Sequence, residues 1–145
     1  MRAIIQRIDK ATLSVDGKVV SEVKRGLAVY LGIHENDIEK NAELLAKKVA
    51  DLRIFRDENE KLNLSVKDIN GQLLVVSNFT IYADTSRGNR PNFMYAMKSE
   101  TAIKLYELFV AKIKEQGLIV QTGVFGEHMS IEQTNNGPIN IILEV

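Results

Sequence analysis

The 145-residue chain contains no cysteine, no tryptophan and only two prolines. Without cysteine it can form neither a disulfide nor a thiolate zinc site, and it has no thiolate nucleophile. Its two histidines, His34 and His128, lie far apart and share no metal-ligand spacing. We therefore predict no metal and no cofactor. The apolar fraction of 45% excludes a disordered chain, and the length predicts a single domain over residues 1–145.

An excess of charge of one sign is also missing, as are long hydrophobic runs. Nineteen basic residues balance nineteen acidic ones, so the net charge is zero. Proteins that bind long nucleic acids usually carry a basic excess, because neutralising phosphates drives their affinity. Any RNA contact is therefore expected to be local. No run approaches the roughly 18 apolar residues of a membrane helix, and residues 1–15 do not resemble a signal peptide. We expect a cytoplasmic protein without a membrane partner.

The hydrophobic pattern predicts many short strands and two long helices. Asp16-Gly17 between two β-branched runs is a hairpin signal, and the apolar run 27–33 is typical of a strand buried on both faces. The predicted helices cover 38–49 and the segment from Ser99 to a stop at Gly117. The remaining predicted strands cover residues 3–8, 11–15, 18–20, 52–55, 73–82, 118–125, 128–134 and 139–144.

This order of elements predicts an α+β fold. Helices and strands do not alternate strictly, which disfavours a doubly wound parallel sheet. The expected architecture is a mixed or antiparallel β-sheet that closes toward a barrel, with two main helices in a single domain.

Polar residues interrupt the longest predicted strand where it ends, at Ser77-Asn78-Phe79-Thr80. Polar groups in a buried strand cost free energy unless they are hydrogen-bonded. Either cross-strand hydrogen bonds satisfy them, or they form a pocket floor where backbone N–H groups and a hydroxyl face a ligand. No P-loop, GxSxG or GxGxxG motif offers another site.

Two loops also allow a structural or a functional interpretation. Asn135-Asn136-Gly137-Pro138 consists of residues that favour turns, which predicts a plain hairpin connection. Because most X–Pro bonds in folded proteins are trans, a trans bond is expected before Pro138. The loop 85–92 carries Arg87 and Arg90, and is either a solvated loop or a small phosphate-contacting patch.

Taken together, these segments resemble the D-aminoacyl-tRNA deacylase family, also called D-tyrosyl-tRNA deacylases. That family carries Ser-Gln-Phe-Thr at a strand end and Asn-X-Gly-Pro-Val-Thr near the C-terminus, which residues 77–80 and 135–140 match. Residues 1–8, 52–55 and 88–93 also match, and the resemblance extends to about residue 143.

The resemblance implies a chiral-proofreading hydrolase, which cleaves the ester bond between a D-amino acid and the 3′ end of tRNA. It implies a homodimer with active sites at the interface and a cis Gly137-Pro138 bond. The loop with Asn136, Gly137 and Pro138 would enter the partner's pocket and collide with an L side chain, and Arg7 would help to hold it. Glycine has no side chain to collide, so mischarged Gly-tRNA(Ala) is a second expected substrate.

The resemblance also implies that Ser77, Asn78, Phe79 and Thr80 form the catalytic segment. Backbone N–H groups around residues 78–80 would stabilise the developing oxyanion. Thr80 is either a nucleophile or a residue that shapes the pocket while the 2′-hydroxyl of the tRNA assists water. We favour the second, because a nucleophile needs an adjacent base and no histidine or lysine is near Thr80 in sequence.

Two residues depart from the family pattern. Asn78 stands where the family usually has Gln, and Asn140 where it usually has Thr. They leave two other functions open, namely an editing deacylase for another mischarged tRNA and a non-catalytic binder of the acceptor end.

Overall fold

A long first strand organises the sheet. The computed structural model describes residues 1–145. In it, β1 (Arg2–Val15) pairs antiparallel with β2 (Lys18–Val23), with β3 (Gly26–Gly32) and, along its other edge, with β8 (Ser130–Glu144). The Asp16-Gly17 turn joins β1 to β2 with positive φ angles of 49° and 74°, so the predicted hairpin is confirmed.

Two further strands extend the sheet in parallel. β6 (Gln72–Ser77) pairs with β3, and β7 (Ile119–Thr122) pairs with β6. Each parallel connection contains one of the two long helices, which agree with the predicted helices. None of the helices is long and apolar enough to cross a membrane. The elements after β3 are α1 (Glu39–Ala50), β4 (Phe55–Arg56), β5 (Leu62–Leu64), β6 (Gln72–Ser77), a 3₁₀-helix (Phe79–Tyr82), α2 (Ser99–Lys114) and β7 (Ile119–Thr122).

The central strands β3 and β6 are buried on both faces. On one face, alternate residues such as Leu27 and Val29 pack against α1 and α2 in the larger core. On the other face, Ala28 and Leu74 belong to a smaller core that the second half of β1 and β2 cover. The prediction of a strand buried on both faces at 27–33 is therefore confirmed.

The sheet closes almost into a barrel. The Ser21 hydroxyl of β2 donates to the Thr122 carbonyl of β7 at 2.6 Å, which links strands from opposite ends of the sheet. The predicted α+β class, the mixed sheet closing toward a barrel and the two main helices are confirmed.

The prediction of one strand over 73–82 is wrong in its second half. β6 ends at Ser77, and a 3₁₀-helix begins at Phe79. The Asn78 side chain accepts the Thr80 N–H at 3.1 Å, which gives the backbone a local alternative to the strand ladder.

The prediction of a hairpin connection at 135–138 is also wrong. β8 does not reverse there, because both of its halves pair with the same edge of β1. Asn135 lies opposite Ile8 and Asn140 opposite Gln6, so four residues of β8 face only Arg7. The segment 136–139 therefore bulges out of a continuous strand.

Candidate active site

The polar segment begins where β6 leaves the sheet. Ser77 is the last residue of β6 and lies opposite Leu31 of β3. The next N–H, that of Asn78, donates to the Leu31 carbonyl at 2.8 Å. This last contact with β3 fixes the direction in which the 3₁₀-helix starts.

The Asn78 side chain holds Thr80. Its Oδ1 accepts both the Thr80 N–H at 3.1 Å and the Thr80 hydroxyl at 2.5 Å. An amide oxygen cannot take up a proton as a base does, so this contact does not activate the hydroxyl. The presence of Asn at position 78, where the family usually has Gln, has a local explanation. The short Asn side chain can accept a hydrogen bond from the backbone N–H two residues later in the chain.

One backbone donor of the segment is free. The N–H groups of Asn78 and Thr80 have acceptors within the protein, but that of Phe79 has none. The residue Phe79 is 57% exposed, and its ring meets the Phe93 ring edge to face, with centroids 4.9 Å apart. Of the three N–H groups predicted as oxyanion donors, only that of Phe79 is available.

A cavity of about 620 Å³ brings the segment together with residues distant in sequence. All four segment residues line it. Most of the other lining side chains are apolar, as in most small-molecule sites. Further lining residues include Tyr30, Phe93, Lys98 and His128.

Sequence reasoning missed the residues on the far wall of this cavity. His128 and Lys98 line the same space as Thr80, although no histidine or lysine is near Thr80 in sequence. The Thr80 hydroxyl donates to Asn78 and not to either of them. Gly123 and Gly126 offered the only signal, because glycines after β7 indicate a loop. The structure has this loop at 123–129, whereas the predicted strands 118–125 and 128–134 left a break only at 126–127. No group of histidine, cysteine, aspartate or glutamate side chains is arranged to hold a metal ion.

The Gly137-Pro138 peptide bond is cis, as the resemblance implies and against the base rate. Two side chains of β1 hold the residue before it. The Arg7 Nε donates to the Asn136 carbonyl at 3.1 Å, and Asp9 accepts the Asn136 Nδ2 at 2.8 Å.

Arg7 also anchors the bulge to the segment between α1 and β4. Its Nη1 donates to the Ile54 carbonyl at 2.7 Å, and the residue is only 7% exposed. Burial, and then repulsion from Arg56 and Arg25, lowers the pKa of the Arg7 guanidinium. The side chain is held tightly by two carbonyls despite this cost.

The bulge and the cavity do not meet within one chain. Neither Gly137 nor Pro138 lines the cavity. Along β3, Arg7 is at the level of Leu27 and Ser77 at the level of Leu31. These two levels are about 13 Å apart along the strand direction.

Arg87 and Arg90 lie outside the cavity, on an exposed loop. Paired backbone hydrogen bonds between Asp84 and Asn92, at 2.7 and 2.9 Å, close this loop at its base. The Ser86 N–H lowers the pKa of the Asp84 carboxyl by hydrogen bonding to it. Neither arginine has a salt bridge or a side-chain hydrogen bond.

Comparison with known proteins agrees with the resemblance found in the sequence. A sequence model of the family described as D-Tyr-tRNA(Tyr) deacylase matches residues 4–144. Relatives from Koribacter versatilis and Aquifex aeolicus, each named D-aminoacyl-tRNA deacylase, are both 49% identical to this chain. In each case the match covers 99% of this chain and 97% of the relative.

Solved structures agree with the fold. The structure titled "c-Myc DNA Unwinding Element Binding Protein" matches with a TM-score of 0.94 at 36% identity, covering 100% of this chain and 99% of that one. A second, titled "Structural Analysis of a probable eukaryotic D-amino acid tRNA deacylase", matches with a TM-score of 0.84 and coverages of 99% and 98%. Its 17% identity supports the fold alone. From the full-length family match and the identity to curated relatives, the chain belongs to the D-Tyr-tRNA(Tyr) deacylase family of hydrolases.

Proposed function

We propose that this protein hydrolyses the ester bond of D-aminoacyl-tRNA in the cytoplasm, releasing the D-amino acid and tRNA as a proofreading step in translation. The observation that carries the chemistry is the free N–H of Phe79 on a residue that lines the cavity. An ester carbonyl gains negative charge on its oxygen when water attacks, and an unpaired N–H donor stabilises that charge.

The reaction needs water and the hydroxyl of the substrate itself. Water adds to the ester carbonyl carbon, the oxyanion accepts the Phe79 N–H, and the bond to the terminal ribose oxygen then breaks. The proton of the attacking water passes to the leaving oxygen with help from the neighbouring 2′-hydroxyl. Thr80 shapes the pocket, because its hydroxyl is engaged by the Asn78 amide oxygen. No metal or cofactor takes part.

Chiral selection in this proposal uses a second subunit. The protein forms a homodimer in which the Gly137-Pro138 bulge of one subunit enters the cavity of the other and leaves no room for an L side chain. The separation of bulge and cavity within one chain supports this arrangement. The large apolar residues that are exposed in the single chain include Ile142, beyond the bulge, at 66% exposure and Phe79, at the cavity, at 57%.

Rejection by collision has two further consequences. Glycine has no side chain to collide, so mischarged Gly-tRNA(Ala) is also hydrolysed. The rest of the tRNA is held weakly, in keeping with the zero net charge. The unpaired cations of Arg87 and Arg90 contact acceptor-stem phosphates.

A deacylation time course tests the proposal directly. Purified protein is incubated with D-Tyr-tRNA, L-Tyr-tRNA and Gly-tRNA(Ala), and remaining ester is measured. We expect loss of the D and glycyl esters and persistence of the L ester. Loss of the L ester would favour an editing enzyme for another mischarged tRNA. Binding of a non-hydrolysable D-aminoacyl-adenosine without turnover of any ester would favour a non-catalytic binder.

The same assay tests the role of the 2′-hydroxyl. Replacing the terminal ribose by its 2′-deoxy form should strongly reduce hydrolysis of the D-Tyr ester. A normal rate on the deoxy substrate would contradict assistance by the RNA and would direct attention to His128 on the far wall of the cavity.

A further inference from the structure

A chain of side-chain hydrogen bonds crosses three strands on the face of the sheet away from the helices. The Tyr30 hydroxyl of β3 donates to Gln133 Oε1 of β8 at 3.0 Å. Gln133 Nε2 donates to Gln6 Oε1 of β1 at 2.6 Å. Gln6 Nε2 then donates to Asn140 Oδ1 of β8 at 2.7 Å. One end of this amide chain is Tyr30, which lines the cavity.

The other end of the amide chain makes hydrogen bonds on both sides of the bulge. Gln133 Nε2 also donates to Asn135 Oδ1 at 2.6 Å. Asn135 and Asn140 are the last residues paired with β1 before and after the bulge. On the C-terminal side of the bulge, where pairing with β1 resumes at Asn140, the only side-chain hydrogen bond is the one between Gln6 and Asn140. Within the bulge, Arg7 and Asp9 contact only Asn136, on the N-terminal side.

We infer that Gln6, Gln133 and Asn140 are positioning residues, which set how far the Gly137-Pro138 bulge projects and thereby how strictly L substrates are rejected. The inference rests on the proposed function, since it assigns these residues to the discrimination step of that reaction. It concerns the ratio of L to D hydrolysis and not the rate on the D substrate.

Each amide in the chain bridges two neighbours. Gln133 accepts from Tyr30 with its oxygen and donates with its nitrogen to Gln6 and Asn135, and Gln6 in turn donates to Asn140. Removing one member therefore breaks hydrogen bonds that connect the two sides of the bulge and loosens both of them.

A matched pair of variants at an exposed position gives the cleanest test. Asn140→Leu removes the acceptor for Gln6 and keeps the branching and the number of heavy side-chain atoms, whereas Asn140→Asp keeps the acceptor. The measurement is kcat/KM on D-Tyr-tRNA and on L-Tyr-tRNA. We expect Asn140→Leu to raise the L to D ratio about tenfold, which is the effect of losing roughly one hydrogen bond. Asn140→Asp should keep the ratio of the unmodified protein.

A second position guards against a purely local effect. Gln133→Met cuts the amide chain at its centre, and Thr134→Val alters the next residue, whose side chain makes no hydrogen bond. Gln133→Met should raise the L to D ratio at least as much as Asn140→Leu, and Thr134→Val should leave it unchanged. A loss of stability alone would reduce both activities together and would not move the ratio.

The outcomes separate this inference from the proposed function. If the unmodified protein spares L-Tyr-tRNA and hydrolyses D-Tyr-tRNA, but folded Asn140→Leu and Gln133→Met keep its ratio, the positioning role is overturned and the function stands. If the unmodified protein hydrolyses neither ester, the proposed function is overturned and this inference with it.

Discussion

The segment 77–80 and the bulge 136–139 are both polar interruptions of long strands, but they are held in different ways. Asn78 and Thr80 bind each other, and Leu31 of the adjacent strand supplies one further contact. The bulge has no such internal support. Its hydrogen bonds come from the first strand, more than 120 residues away in sequence.

This difference relates to what each segment does in the proposed reaction. A donor for an oxyanion must be fixed relative to its own pocket wall, and local hydrogen bonds achieve that. A loop that reaches into another subunit must project from its own sheet, so the residues at its base have to be held by contacts within its own subunit. Arg7 provides this anchor, since it connects the bulge to the Ile54 carbonyl, which lies between α1 and β4.

The largest effect should come from removing the free donor of the first segment. Phe79→Pro deletes the N–H and also the ring, whereas Phe79→Ala deletes the ring alone. Proline is tolerated at the first position of a helix, and Asn78 before it is already extended, at φ −145° and ψ 93°. We expect kcat for D-Tyr-tRNA to be at least about a hundredfold lower in Phe79→Pro than in Phe79→Ala. Equal rates would show that this N–H does not contact the oxyanion.

A second change should weaken the anchor of the bulge and leave the first segment intact. Arg7→Met removes two hydrogen bonds to buried or half-buried carbonyls, and should lower the free energy of unfolding by about 2–3 kcal/mol in urea denaturation. Arg56→Met is the matched control. Arg56 pairs with Glu60 on the surface, so its loss should cost less than about 1 kcal/mol. Similar losses for the two variants would contradict the anchoring role.

The smallest effect should come from the hydroxyl that the first segment already engages. Thr80→Ala removes the hydroxyl and Thr80→Ser keeps it. If Thr80 only shapes the pocket, single-turnover rates on D-Tyr-tRNA should stay within about tenfold of the unmodified protein for both. A folded Thr80→Ala protein with no measurable activity, beside an active Thr80→Ser protein, would restore the nucleophile mechanism.

The two segments also differ in how far the sequence predicted them. Residue types identified both as places where strands are interrupted, and the matched family motifs assigned them roles. The strand prediction is wrong over Phe79–Tyr82, because the hydrogen bond from the Thr80 N–H to the Asn78 side chain favours a 3₁₀-helix over the strand that the residue types indicate. The turn-forming residues of 135–138 predicted a chain reversal, because nothing local indicates that Ile8 and Gln6 pair on either side of the bulge.

The helices and the β1–β2 hairpin were predictable, because their signals are periodic or fall within one turn. The far wall of the cavity was not. His128 and Lys98 reach the cavity only through the packing of the loop after β7 and the start of α2 around the end of β6. No spacing in the sequence links them to Thr80.

Mixing two inactive subunits tests most directly whether the bulge of one subunit completes the cavity of another. Phe79→Pro spoils the cavity and keeps the bulge. Gly137→Val leaves the cavity of its own subunit intact, but it adds a side chain to the bulge that enters the partner's cavity and should block all substrates there, D as well as L. Gly137 has φ +135°, and an added Cβ would lie 2.6 Å from the Ile139 nitrogen, so the bulge is also distorted. After subunit exchange, each mixed dimer would hold one intact site.

The readout is hydrolysis of D-Tyr-tRNA before and after exchange. Random pairing in a symmetric dimer predicts recovery of about one quarter of the activity of the unmodified protein. Activity no higher than the average of the two parent variants would mean that the bulge of one subunit does not complete the cavity of the other, and would contradict the proposed active site at the subunit interface.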